Sequence, residues 1–127
     1  FIGEPTRKQA EMYELALSSQ KAALKSLKAG VRGKDIDETA RKIIEGKGLG
    51  DFFRHGLGHG VGLEAHEKPT LGPTQDNLLF ENMVCTIEPG IYLPGWGGIR
   101  IEDMALVQES VAKILTHSPK ELDQVVI

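Results

Sequence analysis

The sequence predicts an α+β domain: two helices packed on one face of an antiparallel sheet. Three observations carry this expectation. Apolar residues recur at helical spacing in the first 45 positions. From Phe52 onward the chain turns to glycine, proline and β-forming residues. The 127 residues make one domain's worth of chain, with no internal repeat and no low-complexity tract.

The first helix should open at Thr6. Thr6 to Gln9 reads T-x-x-Q after Pro5, the pattern of a capping box. Met12, Leu15, Ala16, Ser19, Ala23 and Leu27 then form one stripe, which carries the helix roughly to Lys28, with Gly30 as the stop. Lys21, Lys25 and Lys28 share the opposite side and read as a solvated face. A second helix is expected over 34–45, with Ile36, Ala40, Ile43 and Ile44 as its apolar stripe. Asp35, Asp37 and Glu38 near its start suit the helix dipole. Residues 46–50 end it. Strands are expected over 83–88, 99–107 and 111–115, with Gly95, Gly97 and Gly98 turning the first into the second.

Composition narrows the function. A net charge of −3 and a pI near 5.8 argue against a broad nucleic-acid or anionic-membrane surface. No apolar run approaches the length of a transmembrane helix. There is no basic-then-apolar signal pattern at the first residues, and a cytoplasmic location is the expectation. The single Cys85 excludes an internal disulfide and any multi-cysteine zinc site.

The segment HGLGHGVGLEAHE, residues 55–67, holds three of the four histidines. Gly56, Gly58, Gly60 and Gly62 make a helix there unfavourable, at about 1 kcal/mol each relative to alanine. An extended or looped segment is expected instead. Alternate glycines strip one face of side chains, so a ligand or another strand can approach the backbone. His55 and His59 then project the same way. His66 falls on the opposite face under strict alternation and needs a turn to rejoin them. Pro69 fits a chain leaving the site. His117 reads as a surface loop histidine. The segment is not H-E-x-x-H, not G-x-G-x-x-G and not a lysine-bearing phosphate loop. Cys85 reads as a buried strand cysteine, not a nucleophile.

Two carboxylates complete the candidate site. Val84, Thr86 and Glu88 share one strand face, and Arg100, Glu102 and Met104 share another. If those strands pair around the Gly95 to Gly98 turn, Glu88 and Glu102 face each other. Adjacent buried carboxylates repel, and a divalent cation is the usual remedy. The plainer alternative is an ion pair between Glu102 and Arg100. A carboxylate-rich site with few histidines suits manganese, cobalt, iron or zinc better than copper.

The series HGLGHGVGLEAHEKP, then TIEPGIY, then GWGGIRIED resembles the pita-bread metallopeptidases, the group of prolidase, aminopeptidase P, methionine aminopeptidase and creatinase. The three motifs occur in the family's order and span nearly all of the chain. The resemblance implies the C-terminal half of a pita-bread fold, so that residues 1–127 form a single partial catalytic domain. It implies two divalent metal ions, manganese favoured, held by two aspartates, one histidine and two glutamates. His59, Glu88 and Glu102 match the histidine and the glutamates, with Glu102 bridging both ions. His66 would contact substrate and stabilise the transition state, and His55 would line the substrate pocket. Glu88 would take and return the proton. Arg100 would stand behind the carboxylates and steady them. His55 and the phrase GGIRIED favour the X-Pro group, which cleaves before proline, over methionine aminopeptidase. The intact ligand positions speak against creatinase.

In the family the two aspartates precede a phrase like FIGEPT, and the sequence starts at that phrase. None of Asp35, Asp37, Asp51, Asp76 or Asp103 has the context to replace them. The expectation is therefore an Xaa-Pro aminopeptidase or dipeptidase represented by a portion that binds metal weakly and is inactive alone. Its substrate would be a peptide with proline at the second position. The alternatives are a non-catalytic peptide- or protein-binding module of the same fold, a methionine aminopeptidase, or half-domains that pair as a homo-oligomer.

Overall fold

A computed structural model describes all 127 residues. Helix α1 (Arg7–Ser26) and helix α2 (Gly33–Glu45) come first, followed by seven strands. The α+β expectation holds, with both helices first and an antiparallel sheet after them.

The capping box at the start of α1 is formed. The Gln9 amide donates to Thr6 Oγ1 at 3.4 Å, and the Thr6 amide donates to Gln9 Oε1 at 2.8 Å. Such a cap is worth about 1 kcal/mol. The helix stops two residues short of Lys28. Leu27 is already extended, and the amides of Ala29 and Gly30 donate to the carbonyls of Gln108 and Leu79. Those tertiary bonds replace a further helical turn. Leu15, Ala16, Ser19, Ala23 and Leu27 are buried as expected, and the three lysines are exposed. Gln20 is buried too, because its amide donates to the buried Asp103 at 2.7 Å. In α2, Ile36, Ala40 and Ile44 are buried. Asp37, near the start of the helix, is also fully buried.

The main sheet has the order β2-β1-β3-β6-β7, every pair antiparallel. Its strands are β1 (Gly58–Gly60), β2 (Glu67–Leu71), β3 (Val84–Ile87), β6 (Asp103–Leu106) and β7 (Lys113–Ile114). Strands β4 (Gly90–Leu93) and β5 (Gly97–Arg100) form a separate hairpin. This corrects the expected strand over 99–107, which divides between the two sheets. It also moves the Gly95 to Gly98 turn, which closes β4 onto β5 and does not join β3 to β6. Pro89 has no amide to extend the β3 ladder, so the chain turns there. Gly90 begins a new strand where a stop was expected. The expected strand 111–115 shrinks to the two exposed residues of β7. Strands β1 and β2 were not anticipated as a pair. Pro69 sits within β2, so the chain runs back beside His59 and does not leave the site.

Leu17, Leu27, Ile36, Ile44, Leu57, Leu71 and Ile87 are among the fully buried side chains between the helices and the sheet. No helix is long and apolar enough to cross a membrane.

Candidate metal and substrate site

The glycines around His59 serve strand packing. A Cβ on Gly58 would overlap the carbonyl oxygen of Thr86, and one on Gly60 would overlap that of Lys68. Backbone approaches this close admit only glycine. They let β1 lie between β2 and β3, with His59 opposite Thr70 and Gly60 opposite Cys85. The His59 amide donates to Thr86 Oγ1 at 3.0 Å.

The turn that His66 needs is supplied by residues 61–66, which return the chain into β2. The His59 and His66 rings meet edge to face, with centroids 4.6 Å apart. His55 precedes β1. Its ring is flanked by Phe53 at 5.1 Å and Tyr92 at 5.5 Å, and Nε2 lies 3.1 Å from the Tyr92 hydroxyl. His55, His59, His66, Glu88 and Arg100 all line one open cavity of roughly 430 Å³.

The pairing of β3 with β6 puts Ile87 opposite Asp103, so Glu88 and Glu102 are the next residues past the same end of the ladder. The two strands do pair, although not through the Gly95 to Gly98 turn, and the Arg100 guanidinium lies near both carboxylates. Glu88 is the more enclosed: its side chain is 13% exposed, against 40% for Glu102. One Glu88 oxygen accepts from Thr86 Oγ1 at 2.8 Å and lies 3.2 Å from His59 Nε2. The other lies 3.7 Å from Arg100 Nε, which is also 3.7 Å from a Glu102 oxygen. These last two separations are beyond hydrogen-bond length and act as charge attraction. Arg100 thus stands between the two carboxylates and offsets their repulsion. Its own pKa is raised, first by the neighbouring Tyr92 and then by Glu88 and Glu102.

His59 Nδ1 lies 2.9 Å from the Gly60 carbonyl, which leaves Nε2 directed at Glu88. A backbone carbonyl on one ring nitrogen is the usual support for a histidine that binds metal through the other. The donor types therefore fit. The number does not complete a shell: no three His, Cys, Asp or Glu side chains converge closely enough to hold an ion, and Glu102 lies against Arg100.

Sequence reasoning missed Tyr92 and the buried pair Asp37–Arg41. Tyr92 lies in β4, beyond the turn at Pro89, so no strand periodicity connects it to Glu88. Cys85 is buried, and burial pushes its thiol pKa up to about 12. It should resist alkylation at pH 8 in the folded protein and react only on unfolding, which a thiol-reagent time course with and without denaturant checks. The folded thiol titrates above its ordinary value of 9.0, so its contribution to stability is intact below pH 9 and is lost as pH rises toward about 12. His117 is exposed.

Residues 1–109 match the model of metallopeptidase family M24, and the chain belongs to this family. It is 50% identical over 121 residues to the Xaa-Pro dipeptidase of Pyrococcus furiosus, which covers 95% of this chain and 35% of that protein. The X-Pro aminopeptidase from Thermotoga maritima superposes with a TM-score of 0.94 at 48% identity, over 99% of this chain and 35% of that one. The prolidase from Pyrococcus furiosus does so with a TM-score of 0.90 at 50% identity, over 92% and 35%. The two helices and antiparallel sheet match the C-terminal part of the pita-bread fold seen in such structures. The chain thus spans about a third of the length of the relatives it matches.

Proposed function

We propose that this chain supplies His59, Glu88 and Glu102 to a centre of two divalent metal ions in a peptidase that cleaves the bond before proline. The reaction is that of an Xaa-Pro aminopeptidase or Xaa-Pro dipeptidase. The observation that carries this reading is the setting of His59, whose Nδ1 faces the Gly60 carbonyl and whose Nε2 faces the Glu88 carboxylate. Family membership and the names of the relatives support it. Residues 1–127 form part of a single catalytic domain on this reading.

The metal ions would supply a Lewis acid for the scissile carbonyl and lower the pKa of water. This chain's residues do the rest. Glu88 takes a proton from the attacking water and returns it to the leaving amine. Its alignment comes from Thr86 on one oxygen and Arg100 near the other. His66, whose ring packs on that of His59, would steady a developing oxyanion. His55 is braced by Tyr92 and contacts substrate from the same cavity. The substrate is a peptide with proline at its second position. The donor set favours manganese, with cobalt, zinc and iron as the other candidates. A cytoplasmic location, no nucleic-acid or membrane partner and a homo-oligomeric assembly complete the reading. A binding module of the same fold has no use for a histidine aimed at a carboxylate. His55 and GGIRIED favour the X-Pro group over methionine aminopeptidase.

The resemblance calls for five protein donors, and this chain holds three of them. By itself it is expected to bind metal weakly and to hydrolyse nothing. A polypeptide that brings the two aspartates should restore hydrolysis of an Xaa-Pro peptide. Equilibrium dialysis against Mn(II) tests the donor assignment. The expected result is at most one ion, weakly held and lost in Glu102→Gln. Two tightly held ions, or binding indifferent to that substitution, would overturn the assignment.

A further inference from the structure

Helix α2 reaches the site through two side chains that contribute no donor to it. Asp37 is fully buried, and Arg41 lies beside it one turn on, with its side chain 17% exposed. Arg41 grips both oxygens of Asp37, from Nε at 2.8 Å and Nη2 at 3.0 Å. The same guanidinium donates to the Phe53 carbonyl at 2.6 Å and to the His55 carbonyl at 2.9 Å, and it stacks on the Phe53 ring at 4.1 Å. Asp37 also accepts from the Leu57 amide at 3.0 Å, and the Leu57 carbonyl accepts from the Glu88 amide at 2.8 Å. The ion pair therefore holds the backbone on both sides of His55, and through Leu57 it reaches Glu88.

We propose that Asp37 and Arg41 are positioning residues for the site: they clamp residues 53–57 so that His55 faces the cavity and Glu88 is set against His59. A surface ion pair one helical turn apart would need neither burial nor three additional backbone partners. Here every bond beyond the pair itself is spent on the segment that enters the site. Arginine is required, because a planar fork can meet a carboxylate and two carbonyls together, whereas a lysine ammonium on a flexible stem cannot hold that plane. The functional consequence rests on the peptidase reading. The clamp does not.

Two variants of the chain test it, Arg41→Lys and Asp37→Asn. The first keeps the charge opposite Asp37; the second keeps the shape and removes the charge that Arg41 grips. Three readouts are compared with the parent chain: the His55 ring-nitrogen NMR signals, the exchange rate of the Leu57 amide, and the Mn(II) concentration that broadens His59. The exposed His117 is the internal reference. Both variants should fold, by far-ultraviolet circular dichroism. Both should shift the His55 ring signals and leave His117 unmoved. Leu57 exchange should rise about tenfold or more, and about tenfold more Mn(II) should be needed, the usual scale for removing an outer support of a metal ligand. Full rescue of His55 and Leu57 by lysine would reduce Arg41 to charge balance and overturn the proposal. Unchanged signals in both variants would do the same. If Mn(II) fails to broaden His59 in the parent chain, the metal reading falls, while His55 and Leu57 still decide the clamp.

Discussion

Gly58→Ala is expected to destabilise the protein by about 3 kcal/mol, the upper end of what an overpacked interior costs. Alanine carries the smallest side chain, yet its Cβ would overlap the Thr86 carbonyl oxygen. That atom belongs to the backbone of β3, and no side-chain rotation relieves it. Either β1 separates from β3 or both strands shift. The bond from the His59 amide to Thr86 Oγ1 lies in the path of that shift, so the site loosens with the fold. Gly48→Ala is the informative contrast. Gly48 has a φ of +72° but nothing within 4 Å, so its cost is conformational alone, about 1–2 kcal/mol. Urea midpoints of the two variants measure the difference. A Gly58→Ala midpoint equal to or above that of Gly48→Ala would show that β1 is not held as closely as described.

Glu102→Gln is expected to do the reverse, leaving stability intact and removing function. The side chain is 40% exposed and its Arg100 contact is 3.7 Å long, so the change in stability should stay within about 0.5 kcal/mol. Arg100 keeps Glu88 as its partner. Glutamine preserves the shape but surrenders the charge that Glu102, on the proposed reading, would offer to the metal centre. Since outer-shell partners alone are worth about 10–100-fold in metal affinity or activity, loss of a bridging ligand should cost on the order of 10²-fold or more. Hydrolysis of an Xaa-Pro peptide by the complemented enzyme is the measurement. A rate near that of the parent would remove Glu102 from the bridging role. An unchanged urea midpoint alongside a lost activity would separate this substitution from Gly58→Ala.

The helices were legible in the sequence because their signals are local. The capping box at Thr6 and the stripe through Leu15, Ala23 and Leu27 depend on neighbours three and four residues away. The strands were less legible. The apolar run 99–107 reads as one strand, but it serves two partners, β4 before Ile101 and β3 after Glu102. Strand β2 contains a proline, and β1 is three residues long with glycine at both ends. The alternating glycines suggest extended chain around β1, but neither segment shows its strand partner from sequence.

The sequence alone determined which side chains this protein can bring to chemistry: His55, His59 and His66 among alternate glycines, with Glu88, Arg100 and Glu102 downstream. Residue type and spacing are properties of the chain, and they carried the resemblance to M24 peptidases before any fold was known. Only the tertiary structure decided how those side chains meet. It turned His66 back onto His59, set Arg100 between two glutamates, and buried Asp37 with Arg41 behind the histidine segment. Those outcomes depend on strand register and on backbone contacts between residues far apart in the chain, such as Gly58 with Thr86 and Leu57 with Glu88. Periodicity fixes the face on which a side chain lies, but long-range pairing fixes which face it meets.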